Sequence, residues 1–105
     1  MNTKKTINVL VVDDSPTARE LIINVLESDP DINVIGEARN GQEAITLTKR
    51  LKPDIITMDI KMPVLNGLEA TKYIMAYHPT PIVVIAASAF ASDNTFIFKA
   101  LDYGA

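Results

Sequence analysis

A chain of 105 residues with 48% hydrophobic residues is long enough for one packed core and too short for two domains of ordinary size. Its 13 acidic and 10 basic residues leave a net charge of −3, which argues against a nucleic-acid or anionic-membrane surface built from bulk charge. There is no cysteine, so disulfides, thiol catalysis and thiolate metal sites are excluded and a reducing compartment, by default the cytoplasm, is expected.

The polar start, Met1 to Thr6, and the early interruption of the first apolar run by Asp13 and Asp14 argue against a signal peptide or membrane span. That run, Ile7 to Val12, is β-branched and nearly continuous in apolar character, as a strand covered on both faces should be. Pro16 to Ser28 then carries Ala18, Leu21, Ile22, Val25 and Leu26 at i, i+3, i+4, i+7 and i+8. With Ser15 as N-cap and Pro16 at the first helical position, this predicts a helix. Ile32 to Ala38 mixes Asn33, Gly36 and Glu37 with apolar residues and predicts an edge strand. A helix over Gln42 to Leu51 follows the cap candidate Asn40. Asp54 to Met58 predicts a second core strand, and Gly67 to Tyr77 a helix with Leu68, Ala70, Thr71, Ile74 and Met75 inward. Pro81 to Ala86 predicts a third core strand. Asp93 to Tyr103 has a helical face of Phe96, Ile97, Ala100 and Leu101, a cap at Ser92 or Asp93, and Gly104 to end it.

Four alternations of strand and helix with short connections predict a doubly wound α/β domain, (βα)4, with a parallel sheet and helices on both faces. In such a sheet ligands bind beyond the carboxyl ends of the strands, where the strand order reverses. Asp13 and Asp14 follow the first strand and Asp59 follows the third in chain order, so three carboxylates converge if those strands are neighbours. Crowded carboxylates raise one another's pKa unless a cation relieves them, and Mg2+, which takes oxygen ligands and bridges to phosphate, suits the set. Alone, the Asp13–Asp14 pair reads as a helix cap and dipole partner; a third acid at the end of another core strand turns the balance. His78, the single histidine, sits at a helix end where a dipole contact explains it better than catalysis.

The stretch Val11-Val12-Asp13-Asp14-Ser15, followed by Asp59-Ile60-Lys61-Met62-Pro63-Val64-Leu65-Asn66-Gly67 and Ala100-Leu101-Asp102-Tyr103-Gly104-Ala105, resembles the response-regulator receiver domains of two-component systems. The resemblance spans essentially the whole chain in one gapless register. Ser28 to Pro30 and His78 to Val84 are most similar to the regulatory domain of chemotaxis protein-glutamate methylesterases. The resemblance implies a flavodoxin-like receiver fold in which Asp59 is the phosphoacceptor, and Asp13, Asp14, Asp59 and the backbone carbonyl of Lys61 hold Mg2+. It further implies that Met62, Pro63 and Gly67 shape the site loop, that a histidine kinase is the donor and that an output domain or partner protein reads the signal. Direct nucleic-acid or membrane binding is not expected.

Three departures from the family pattern bear on switching. Ala86 stands where receivers carry a Ser or Thr that closes on the phosphoryl group, and Ser88, two residues on, is the candidate substitute. Lys61 stands where methylesterase relatives carry an acid; its ammonium reaches either the phosphoryl group or, more readily, water. The family's fifth strand, final helix and the lysine after that strand lie beyond Ala105, so the expectation is a C-terminally truncated receiver over residues 1–105. Its fourth strand then has an open edge, which invites pairing with a second copy.

The reading is thus a phosphoacceptor switch rather than a turnover enzyme. The alternative is a pseudo-receiver binding module with weak or no phosphorylation switching. An aspartate phosphohydrolase fits poorly, because residues 59, 61 and 63 are Asp, Lys and Pro where Asp-x-Asp-x-Thr is needed. A nucleotide-binding module lacks any glycine-rich phosphate loop after the first strand.

Overall fold

The computed structural model describes residues 6–59, 62, 65–85 and 98–101. Its elements are β1 (Ile7–Val12), α1 (Pro16–Glu27), β2 (Ile32–Ala38), α2 (Gly41–Leu51), β3 (Ile55–Asp59), α3 (Gly67–Tyr77), β4 (Ile82–Ile85) and β5 (Phe98–Leu101). The sheet order is β2-β1-β3-β4-β5. The first four strands are parallel, so the chain winds outward from β1 to β2, crosses back to β3 and continues the other way. The order reverses between β1 and β3.

Each helix starts on a side chain that accepts an otherwise unpaired amide. Ser15 Oγ accepts from the Ala18 amide at 3.2 Å, Asn40 Oδ1 from Glu43 at 2.8 Å, and Asn66 Oδ1 from Glu69 at 2.8 Å. Glu43 also reaches back to accept from the Arg39 amide at 2.8 Å, which pins the corner from β2 into α2. The other end of α2 stops at Lys52, whose φ of 50° is left-handed and whose successor is Pro53. Neither residue can continue the helix.

The alternation of side chains along the strands splits the core into two layers. Leu10, Val12, Ile56, Met58, Ile82 and Val84 face α2 and α3, where they meet Ala44, Ala70 and Ile74. Val9, Val11 and Ile85 face the α1 side with Ile22. A fully buried aliphatic side chain such as that of Ile74 contributes about 1.5–3 kcal/mol, so these layers are the main stabilising element. A register shift opposite Val9 and Leu10 lets β2 keep Val34 on one layer and Ala38 on the other.

Two expectations need correction. On α1 the buried stripe runs through Ala18, Ile22, Ile23 and Leu26, while Val25 is 54% exposed. The helix is rolled so that the i, i+4 row of Ala18, Ile22 and Leu26 is centred on the sheet. The second correction concerns the helix expected over Asp93 to Tyr103, since residues 98–101 are a strand antiparallel to β4, with Ile82 opposite Leu101 and Ile85 opposite Phe98. The outer N–H and C=O groups of β4 demand partners, and an open strand edge outcompetes a short helix for this segment. The edge on which self-association was to rest is therefore occupied by the chain's own residues. The rest of that expected helix, including Phe96 and Ile97, lies outside the described residues. Among the described residues no helix is long and apolar enough to cross a membrane.

Candidate functional site

β1 and β3 are direct neighbours, with Val12 paired to Met58, and this brings their carboxyl ends together at the switch point. Asp13 is the first residue past β1, and Asp59 is the last residue of β3 rather than the first beyond it. One carboxylate oxygen from each of Asp13, Asp14 and Asp59 lies within 4.8 Å of the others. Asp13 and Asp59 are buried, at 1% and 6% exposure, whereas Asp14 is exposed. The cluster thus has a dry floor and a wet lip.

Asp13 is fixed from several directions. Its amide donates to the Ala38 carbonyl of β2 at 3.0 Å, and its Oδ1 accepts from the Ser15 amide at 2.9 Å. Its Oδ2 is buried and has no hydrogen-bond partner among the described residues. Burial, the largest influence, pushes the Asp13 carboxyl above its ordinary pKa, and the Asp14 charge adds to the rise. The Ser15 amide, Arg19 and Asp59 act in the opposite direction.

The structure adds a residue that the sequence reading missed. Arg19 donates from Nη1 to the Asp13 carbonyl at 2.9 Å and from Nε to Glu37 Oε1 at 3.0 Å, and its side chain is only 13% exposed. It ties the acidic turn after β1 to the end of β2. A signal for it was present: Arg19 precedes Ile22, Ile23 and Leu26 by three, four and seven residues, so it occupies the inward stripe of α1. A charge on an apolar stripe is the informative kind of exception.

Of the loop residues, Met62 is buried within the α2–α3 layer, and Gly67 is buried at the start of α3. Lys61, Pro63, Ala86 and Ser88 lie outside the described residues. His78 ends α3, where its amide donates to the Ile74 carbonyl at 2.7 Å and its own carbonyl accepts from Thr80 Oγ1 at 2.9 Å. It takes no part in the carboxylate cluster.

Sheet order, crossover pattern and the position of the acids at the switch point define a flavodoxin-like α/β domain. The chain belongs to the response regulator receiver domain family, whose model matches residues 9–105. It is 54% identical over 99 residues to a protein-glutamate methylesterase/protein-glutamine glutaminase of Nitrosospira multiformis, an alignment covering 94% of this chain and 28% of the relative. The chain thus spans little more than a quarter of that relative's length. Among solved structures it resembles the response regulator domain of Thermotoga maritima CheB, with a TM-score of 0.75 and 49% identity over 76% of this chain and 60% of the other. It also resembles a chain of the CheX–CheY–BeF3–Mg2+ complex of Borrelia burgdorferi, with a TM-score of 0.67 and 33% identity over 70% of this chain and 56% of the other. Receiver domains as a family accept a phosphoryl group and bind Mg2+ at an aspartate cluster.

Proposed function

We propose that residues 1–105 act as a receiver domain in which Asp59 is the phosphoacceptor and Asp13, Asp14, Asp59 and the backbone carbonyl of Lys61 hold Mg2+. The observation that carries this reading is the meeting of the three carboxylates around a buried Asp13 oxygen that has no hydrogen-bond partner among the described residues. An all-oxygen set of this kind fits a hard divalent ion. Bound there, Mg2+ supplies positive charge against the carboxylates and against the equatorial oxygens of a phosphoryl group.

The chain's own residues do the rest. An Asp59 carboxylate oxygen attacks phosphorus in line, forming a P–O bond as the P–N bond to a phosphohistidine, or the P–O bond to acetate in acetyl phosphate, breaks. Arg19, through the Asp13 carbonyl and Glu37, holds the acidic turn against the end of β2. Met62, Pro63 and Gly67 shape the segment after Asp59, and Ser88 stands in for the hydroxyl that Ala86 lacks. A cytoplasmic histidine kinase is the donor. The output is an attached domain or partner, and the similarity to the methylesterase/glutaminase relative favours an output of that kind. In this role the domain is a switch and not a turnover enzyme.

Treating the chain with acetyl phosphate and Mg2+ and reading the intact mass tests this. One phosphoryl group is expected on the wild type, none on Asp59→Asn, and none when the metal is chelated. Modification that persists in Asp59→Asn would remove the assignment. Ala86 favours a second reading, the binding module without a working switch, and a wild type that binds Mg2+ but stays unmodified would establish that reading instead.

A further inference from the structure

The first residue of α2, Gly41, is buried and donates its amide to the carbonyl of Leu65 at 3.1 Å. A Cβ at Gly41 would lie 2.3 Å from that carbonyl oxygen, 2.8 Å from the Leu65 Cβ and 3.0 Å from the carbonyl carbon. Such distances are far inside van der Waals contact, and the obstruction is backbone, which cannot swing aside as a side-chain tip can. Only glycine allows this approach.

Leu65 lies at the far end of the segment that leaves Asp59. Among the described residues around it, Asp59 pairs with Ile85 in the sheet, Met62 lies in the core layer under α2 and α3, and the Leu65 carbonyl accepts the Gly41 amide. Gly36 offers a contrast. A Cβ there would lie 2.8 Å from Leu51 Cδ1 and 3.2 Å from Leu10 Cδ1, the ends of flexible side chains away from the carboxylates.

We propose that Gly41 is a positioning residue of the Asp59 site: it is the seat for Leu65, and any side chain there displaces Leu65 and the buried Met62 that lies between it and Asp59 in the chain, so that the end of β3 carrying Asp59 loses its support for metal binding and phosphorylation. The inference rests on Asp59 being the phosphoacceptor. Displacements of about 1 Å in reacting geometry cost up to about a hundredfold in rate, so a seat fixed by backbone contact matters even though Gly41 touches no reacting atom.

The test compares the 105-residue wild type with Gly41→Ala and Gly36→Ala. Mg2+ binding is followed by amide chemical shifts, phosphorylation by intact mass with acetyl phosphate, and stability by thermal midpoint. Both substitutions should lower the midpoint, but Gly41→Ala alone should weaken Mg2+ binding and slow phosphorylation, by about tenfold or more. A folded Gly41→Ala that matches the wild type in both, or a Gly36→Ala impaired to the same degree, overturns the proposal. If Gly41→Ala does not fold, the wild type decides: the amides of Gly41 and Leu65 should move with the same Mg2+ dependence as those of Asp13 and Asp59, while that of Gly36 stays still. An unmoved Gly41 amide overturns the inference. A wild type that neither binds Mg2+ nor takes the phosphoryl group removes the Asp59 reading and this one together, whereas a modified wild type beside an unimpaired Gly41→Ala removes this one alone.

Discussion

β3 has an aspartate at each end, and the two do opposite things. Asp54, just before the strand, accepts the Asn8 amide on Oδ2 at 2.8 Å and donates its own amide to the Asn8 carbonyl at 2.8 Å. It is exposed and ties the start of β3 to β1. Asp59, at the other end, is buried beside Asp13 and within reach of Asp14. Four residues of strand separate a side chain that fastens the fold from one that belongs to a cluster of carboxylates. In a parallel sheet every strand delivers its carboxyl end to the same edge, so acids there accumulate, while acids at the amino end find backbone amides to serve.

The sharpest way to break this contrast is Asp13→Asn. It should weaken Mg2+ binding by about tenfold or more, or ~1.4 kcal/mol, as read by metal titration. Without metal it should raise the thermal midpoint at neutral pH. The sign follows from the raised pKa of Asp13. A carboxyl whose folded pKa lies above its unfolded value of 3.8 supports the fold most below that value and loses this support as pH rises through the folded pKa. The advantage of Asn over Asp should therefore vanish on acidification. A variant that is less stable than wild type at neutral pH without metal would show that Asp13 is a structural hydrogen-bonding group, like Asp54.

Arg19→Ala should have a smaller effect on metal binding, since Arg19 hydrogen-bonds the Asp13 carbonyl and acts on the Asp13 carboxylate only at a distance, by its charge. It removes hydrogen bonds from a charged donor and should cost about 1.5–3 kcal/mol of stability, measurable by denaturant unfolding. Loss of stability with unchanged Mg2+ affinity would confine Arg19 to the scaffold. The mildest change is Asp54→Ala, which should cost about 0.5–1.5 kcal/mol and leave Mg2+ affinity and phosphorylation as they are. An effect on either would show that the two ends of β3 are coupled.

Much of this arrangement could be read along the chain. The apolar runs at Ile7 to Val12 and Pro81 to Ala86 and the cap at Ser15 all rest on local rules, and the structure has those elements within a residue or so. The three acids were candidates because each sits at a strand's carboxyl end, a position that the pattern alone marks. Val25 was misplaced because helical spacing gives a stripe several residues wide and only docking on the sheet chooses its centre. Arg19 was passed over for a related reason: its inward position becomes meaningful once α1 is seen against the ends of β1 and β2. Residues 98–101 went from expected helix to strand because their periodicity was weighed without the open edge of β4.

What the sequence by itself determined is the set of elements, their alternation and the chemistry of the acids at two strand ends, since periodicity, capping and side-chain charge are local properties. Tertiary structure alone decided that β1 and β3 lie side by side, that one oxygen of Asp13 is buried in the interior, that Arg19 bridges to Glu37, and that Gly41 meets the Leu65 backbone. Those facts depend on distances between residues far apart in the chain, and such distances are set only when two apolar layers close on both faces of the sheet and every buried amide and carbonyl must find a partner.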